Sequence, residues 1–247
     1  MTRHTLRLAA CLIGSVALVS TVVTQAIATT PGPDEHLRVV DGMPATPSDA
    51  PFAAYIDRNR GQGWCSGSLV APQWVLTAAH CNASTVTVTL GHLEYAKGRT
   101  VQVTSRQESP NTDVLLLKLD QAVTDIAPVT LATTDPALGS SMTVLGWGKT
   151  SPTGQRSPVL RKATMTIAKP RPEKPGQQAP DATDNKGGAA LVSDPGSGWI
   201  WQGDSGGPAL IDGKLVGVAS LSSQFSHQAW HSSVATNHAW ITKIIKS

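Results

Sequence analysis

Apolar residues in this chain fall in short β-branched or alternating runs broken by turn formers, a spacing that suits strands and that long helices cannot use. Val86-Thr87-Val88-Thr89-Leu90, Val101-Gln102-Val103, Val114 to Leu119, Met142 to Leu145 and Lys214 to Ala219 each read as a strand. Pro152-Thr153-Gly154 and Asp212-Gly213 read as turns. Many short strands with Gly and Pro punctuation predict an all-β sandwich or barrel. Two stretches depart from this pattern. Asn237 can cap a C-terminal helix carrying Trp240, Ile241, Ile244 and Ile245 at helical spacing. Lys169 to Gly198 is rich in Pro, Gly, Gln and Asp and lacks periodicity outside Ala189 to Val192, so it reads as a long, mobile surface loop.

Bulk composition sets limits. With 247 residues, 40% of them hydrophobic and 15% charged, the chain can bury a sizeable core as one or two compact units. A formal net charge of +3 is a mild excess without a basic stripe, so no nucleic-acid partner is expected.

The N-terminus bears on location. Arg3, His4 and Arg7 precede an apolar run from Leu8 to Val23, followed by small residues at Ala26 and Ala28. This is the layout of a secretory signal peptide over residues 1–28, and the run is shorter than the ~20 residues of a spanning helix. The mature protein is therefore expected to be secreted, with no membrane attachment. Cys11 leaves with the signal, and the remaining Cys65 and Cys81 are expected to pair in an oxidising compartment.

Chemistry enters at Gly203-Asp204-Ser205-Gly206-Gly207-Pro208, where glycines let the backbone turn sharply around a serine. Serine is a poor nucleophile at neutral pH and needs a base within reach, itself oriented by a third group. Base and orienter have candidates in Thr77-Ala78-Ala79-His80-Cys81 and in Asp113, which precedes Val114-Leu115-Leu116-Leu117-Lys118-Leu119. Taken alone, each has an ordinary reading as a turn serine, a packed histidine or a strand-edge carboxylate.

Together they resemble the chymotrypsin/trypsin family of serine proteases: GDSGGP, TAAHC, the Asp-led apolar strand, Trp64-Cys65-Ser66-Gly67-Ser68-Leu69 and Gly146-Trp147-Gly148 all match its motifs. The chain order His80, Asp113, Ser205 is that family's order and not that of subtilisins or α/β-hydrolases. The resemblance implies two six-stranded antiparallel β-barrels with a C-terminal α-helix, the site lying between them. It implies an activation propeptide at 29–38, a first barrel at 39–135 and a second at 136–247. It further implies His80, Asp113 and Ser205 as catalytic residues, an oxyanion hole from the N–H groups of Gly203 and Ser205, and a Cys65–Cys81 bridge pinning the histidine loop. No metal or organic cofactor is required. Arg38-Val39-Val40-Asp41-Gly42 resembles the family's activation site, which implies cutting after Arg38 by an activating protease and pairing of the new Val39 ammonium with Asp204. Protein or peptide substrates and a monomeric state are expected.

The pocket departs from trypsin. Where that enzyme has an aspartate six residues before the nucleophile, this chain has Trp199. Alternation would put Trp199 and Trp201 on one side, either filling the pocket or packing in the second barrel. Small or apolar residues are expected before the cut, with Ser220, Leu221 and Ser222 pairing to substrate backbone. Two rival readings are an esterase, against which stands the lack of a G-x-S-x-G elbow, and a silent binding module with an occluded pocket.

Overall fold

The computed structural model describes residues 39–247, so the expected signal peptide, propeptide and Arg38 lie outside the described residues. A two-residue strand β1 (Met43–Pro44) precedes six strands that close into a first barrel: β2 (Ala53–Arg58), β3 (Gly63–Ala71), β4 (Trp74–Thr77), β5 (Val86–Leu90), β6 (Arg99–Glu108) and β7 (Leu115–Leu119). They follow the antiparallel order β2-β3-β4-β7-β6-β5 and return to β2. The short β8 (Thr130–Leu131) leads to the second set: β9 (Ser141–Gly146), β10 (Arg161–Ile167), β11 (Ala190–Pro195), β12 (Pro208–Ile211), β13 (Lys214–Ser222) and β14 (Ala229–Ser233). Pairing of β9 with both β10 and β12 closes this second barrel, which β1 and β8 flank. The architecture is thus two closed six-stranded antiparallel barrels followed by the helix α1 (Val234–Ile245).

Sequence explains the burial. Leu115, Leu116, Leu117 and Leu119 on β7 are buried because that strand is sandwiched in the first core, whereas β10 alternates, with Arg161, Ala163, Met165 and Ile167 turned inward. One apolar cluster fills the first barrel and continues through Leu145, Trp147, Leu160 and Leu215 to Val234 and Ile241 on α1. A second, built on Met142, Val144, Met165 and Ala209, fills the other barrel and takes in Val39. The segment before the first barrel serves the second: Met43 pairs with Lys162 and Pro44 with Arg161 on β10.

Two expectations need correcting. The cap of α1 is Ser233, not Asn237: Ser233 has extended backbone and its hydroxyl accepts the Thr236 N–H at 3.0 Å. Asn237 sits one turn inside the helix, buried. The stretch from Lys169 to Gly198 is not a free loop either. It contains β11, and polar anchors tie it down, including Trp230 Nε1 donating to Asp181 O at 3.0 Å and Gln228 Nε2 donating to Lys169 O at 3.0 Å. Periodicity missed these because the anchors are hydrogen bonds, which leave no hydrophobic pattern.

Candidate active site

Register in the first barrel brings the first two candidates together. Thr77 at the end of β4 pairs with Leu115 at the start of β7, so His80, just beyond β4, and Asp113, just before β7, meet at one barrel rim. His80 lies in a single 3₁₀ turn, Ala79–Cys81, and the disulfide from Cys81 to Cys65 on β3 closes a separation of 16 residues beneath it. His80 Nδ1 is 2.7 Å from Asp113 Oδ2, and the His80 backbone N–H donates to Asp113 Oδ1 at 2.9 Å. The hydroxyl of Ser220 donates to Asp113 Oδ2 at 2.6 Å. Burial would push the Asp113 carboxyl up, but the His80 contacts, together with Ser220, hold it below the ordinary carboxylate value. The geometry is that of an imidazole held through Nδ1 by a buried carboxylate.

Ser205 arrives from the other barrel. Its carbonyl accepts the Ser66 N–H of β3 at 2.8 Å and lies 3.7 Å from Cys81 Sγ, which docks the serine loop beside the disulfide under His80. Gly206 must be glycine: its φ is +79°, and a Cβ there would stand 2.0 Å from Thr77 Oγ1. Among the described residues neither Gly203 N–H nor Ser205 N–H donates to a protein acceptor, and Ser205 Oγ has no hydrogen-bond partner. The described residues thus show no hydrogen bond between Ser205 Oγ and His80, and contacts of this kind often tighten only in complexes.

Asp204, the residue before Ser205, is fully buried. Gly148 N–H and Trp201 N–H donate to its two oxygens at 2.8 and 2.9 Å, and no cationic side chain pairs with it among the described residues. Desolvation pushes its carboxyl up to about 7, against the pull of these two backbone donors. Val39, the residue expected to carry an ammonium toward it, is buried in the second core, with its carbonyl accepting Gly42 N–H at 2.6 Å.

A cleft of about 220 Å³ adjoins Ser205, lined by Ile200, Trp201, Gln202, Ser220, Leu221 and Ser222. Trp199 is not among its lining residues. Its backbone is bridged to Val40, through Trp199 N–H to Val40 O at 3.1 Å, and its ring stacks on His227 at 3.9 Å between centroids. The expected alternation fails because residues 200–201 are not in a strand, so Trp201 follows Ile200 into the cleft instead of following Trp199. Ser220, expected only as part of the substrate edge, has its hydroxyl on Asp113. The pairing of β12 with β13 ends at Pro208 and Val218, so the Ser220 to Ser222 stretch lies beyond it.

Two other features hold no comparable chemistry. A larger groove of about 550 Å³, between Ala45, Leu93, Ile126, Trp147 and Leu160, is mostly apolar, and although His92 and Glu94 also line it, no serine does. Ligand atoms of Cys65, His80 and Cys81 lie within 4.8 Å of one another, but both sulfurs are spent on the disulfide, which leaves a single imidazole and no metal-binding set. Sequence reading missed Asp184. It is buried, and it accepts the Asp113 backbone N–H at 2.8 Å.

Two closed six-stranded antiparallel barrels followed by a single C-terminal helix define the chymotrypsin-like class of fold. The chain belongs to the trypsin family, whose sequence pattern matches residues 39–245, and it is a serine endopeptidase. A trypsin of Saccharopolyspora erythraea is 35% identical over 201 residues, covering 74% of this chain and 86% of that protein. Serine protease SP24D of Anopheles gambiae is 32% identical over 200 residues, covering 74% and 71%. Among solved structures, neuropsin, a serine protease of mouse brain, matches with a TM-score of 0.69 at 25% identity, covering 83% of this chain and 98% of its own. Human heparin binding protein matches with a TM-score of 0.69 at 26% identity, covering 84% and 97%. Among the described residues no helix is long and apolar enough to cross a membrane.

Proposed function

We propose that this endopeptidase is secreted as a zymogen, cut after Arg38, and cleaves proteins after small or apolar residues with His80, Asp113 and Ser205 as catalytic residues. The observation that carries the reading is the 2.7 Å contact from His80 Nδ1 to buried Asp113, at the rim where Ser205 docks with two unengaged N–H groups beside it. Ser205 Oγ attacks the scissile carbonyl as His80 takes its proton, and Asp113 stabilises the imidazolium. The N–H groups of Gly203 and Ser205 receive the oxyanion. His80 returns the proton to the leaving amine, and water then releases the acyl group by the same route. The absence of any carboxylate from the lining of the cleft supports a preference other than Lys or Arg, because a substrate cation would be buried there unpaired. Asp204, buried without a cation, supports a later partner in the Val39 ammonium.

The test is a fluorophosphonate probe applied before and after cleavage at Arg38, followed by a peptide library. Labelling of Ser205 only in the cleaved form, lost in His80→Ala, is the expected outcome, with turnover down by about four orders of magnitude or more in Ser205→Ala. An inert cleaved protein would sink the enzymatic reading, and cleavage dominated by Lys or Arg would sink the pocket assignment.

A further inference from the structure

We propose that Asp184 is a positioning residue: from the second barrel it fixes the main chain of Asp113, and through it the carboxylate that orients His80. This inference rests on the catalytic reading given above.

Asp113 belongs to the first barrel, and its carboxylate spends its acceptor capacity on His80 and Ser220. Those bonds fix the side chain relative to its partners. They do not fix the backbone from which it hangs, and a two-rotor side chain is only as well placed as its Cα. The Asp113 N–H donates to Asp184 Oδ2 at 2.8 Å, and the same oxygen accepts the Ser232 hydroxyl at 2.8 Å. The other oxygen, Oδ1, accepts the N–H groups of Lys186 at 3.0 Å and Gly188 at 2.9 Å. Asp184 is therefore wrapped by its own loop and aimed by it. One oxygen is committed to holding the loop and the other to joining β14, through Ser232, with the backbone of Asp113. The four contacts fill a carboxylate's acceptor sites at a position only 4% exposed.

The neighbouring turn is held by the same barrel. The hydroxyls of Ser109 and Thr112 and the Oδ1 of Asn237 on α1 lie within 2.6 to 3.2 Å of one another, and Asn237 Nδ2 donates to Ser233 O at 2.8 Å. The chain entering Asp113 is thus anchored on α1, and Asp113 itself on Asp184. A first-barrel residue takes its coordinates from the second barrel, which also carries Ser205.

The experiment uses the enzyme cleaved at Arg38, with active sites counted by the fluorophosphonate probe so that misfolded molecules drop out of the rate. Asp184→Asn replaces one oxygen by an amide group that must face either the Asp113 N–H with Ser232 or the loop N–H groups, so one side loses its acceptor. Ser232→Ala is the milder variant and keeps the carboxylate. The expected result is a kcat per titrated site about 10- to 100-fold lower in Asp184→Asn, with KM changed by less than about threefold, because misplacement of the orienter acts on the transition state. Ser232→Ala should lower kcat in the same direction by roughly threefold. If kcat per titrated site stays at the parental value in both variants while melting temperature or titratable fraction falls, Asp184 only supports folding and the proposal is overturned. A parent that fails to label would instead strike the catalytic reading itself.

Discussion

Asp204 and His231 are both fully buried, and they should bend the stability of the uncut chain in opposite directions over almost the same pH range. The ordinary carboxyl value of 3.8 is raised to about 7 at Asp204, and the ordinary imidazole value of 6.5 is lowered to about 4 at His231, both by desolvation. Between pH 4 and 7 the folded state keeps a proton on Asp204 that the unfolded chain has lost, so this residue makes stability fall as pH rises. Between pH 4 and 6.5 the unfolded chain carries a proton on His231 that the folded state refuses, so this residue makes stability rise. Each slope is about 1.4 kcal/mol per pH unit, and together the pair nearly cancels over the shared range.

Replacing Asp204 by Asn exposes the imbalance. In a precursor carrying Ser205→Ala to prevent self-cleavage, the difference in stability between Asp204→Asn and its parent should shift in favour of the variant by about 4 kcal/mol from pH 4 to 7. For a domain of this size that is roughly 10 °C of melting temperature. Melting curves recorded at half-unit intervals across that range measure it. The difference between variant and parent is the informative quantity, because the surface carboxylates titrate identically in both. Parallel profiles would mean that Asp204 keeps its charge in the precursor, and the claim that it is buried there without a cation would fail. His231→Gln is the mirror control, and its difference from the parent should run the other way.

Serine in place of both Cys65 and Cys81 should cost about 3 kcal/mol for a closed loop of this length, seen as a drop of roughly 6–12 °C in melting temperature, and should lower activity because the bridge lies directly under the His80 turn. An unchanged melting temperature would show that the bridge contributes nothing. Gly148→Ala would put a Cβ 2.4 Å from the Asp204 carboxyl group, so the enzyme should lose about 1–3 kcal/mol of stability and most of its probe labelling after cleavage at Arg38. Full labelling would show that the carboxyl group can move aside without disturbing Ser205.

What the sequence disclosed and what it hid divide along a physical line. The strands Val86–Leu90, Leu115–Leu119 and Lys214–Ser222 were legible, within a few residues at their ends, because burial on a pleated surface imposes period two or a continuous apolar run. The His80–Asp113 contact and the Cys65–Cys81 bridge were legible because their neighbours are constrained as tightly as they are: small residues before His80 and an apolar strand after Asp113. For Trp199 the sequence left pocket and core packing open; the ring packs on the second core, and the side expected to be shared with Trp201 fails because alternation holds only inside a strand and the backbone there follows a bridge to Val40. Asn237 was misread as a cap because Ser, Asn and Asp share one local signal, and only the fold decides which of Ser233 and Asn237 meets a free N–H and which reaches across to Ser109 and Thr112.

Asp184 is the sharper case. It sits in a stretch without hydrophobic pattern, and its four hydrogen bonds run to backbone groups and to one hydroxyl, none of which mark a sequence. A hydrogen bond to a main-chain N–H asks only for an acceptor at the right place, whatever residue donates it, so nothing near Asp113 in the chain needs to change to receive it. The residues proposed to do chemistry sit in motifs because their own neighbours must fit closely around them. The groups that hold those residues in place from another barrel leave none, and so the inter-barrel contacts on Asp113 could be seen only once both barrels were in view.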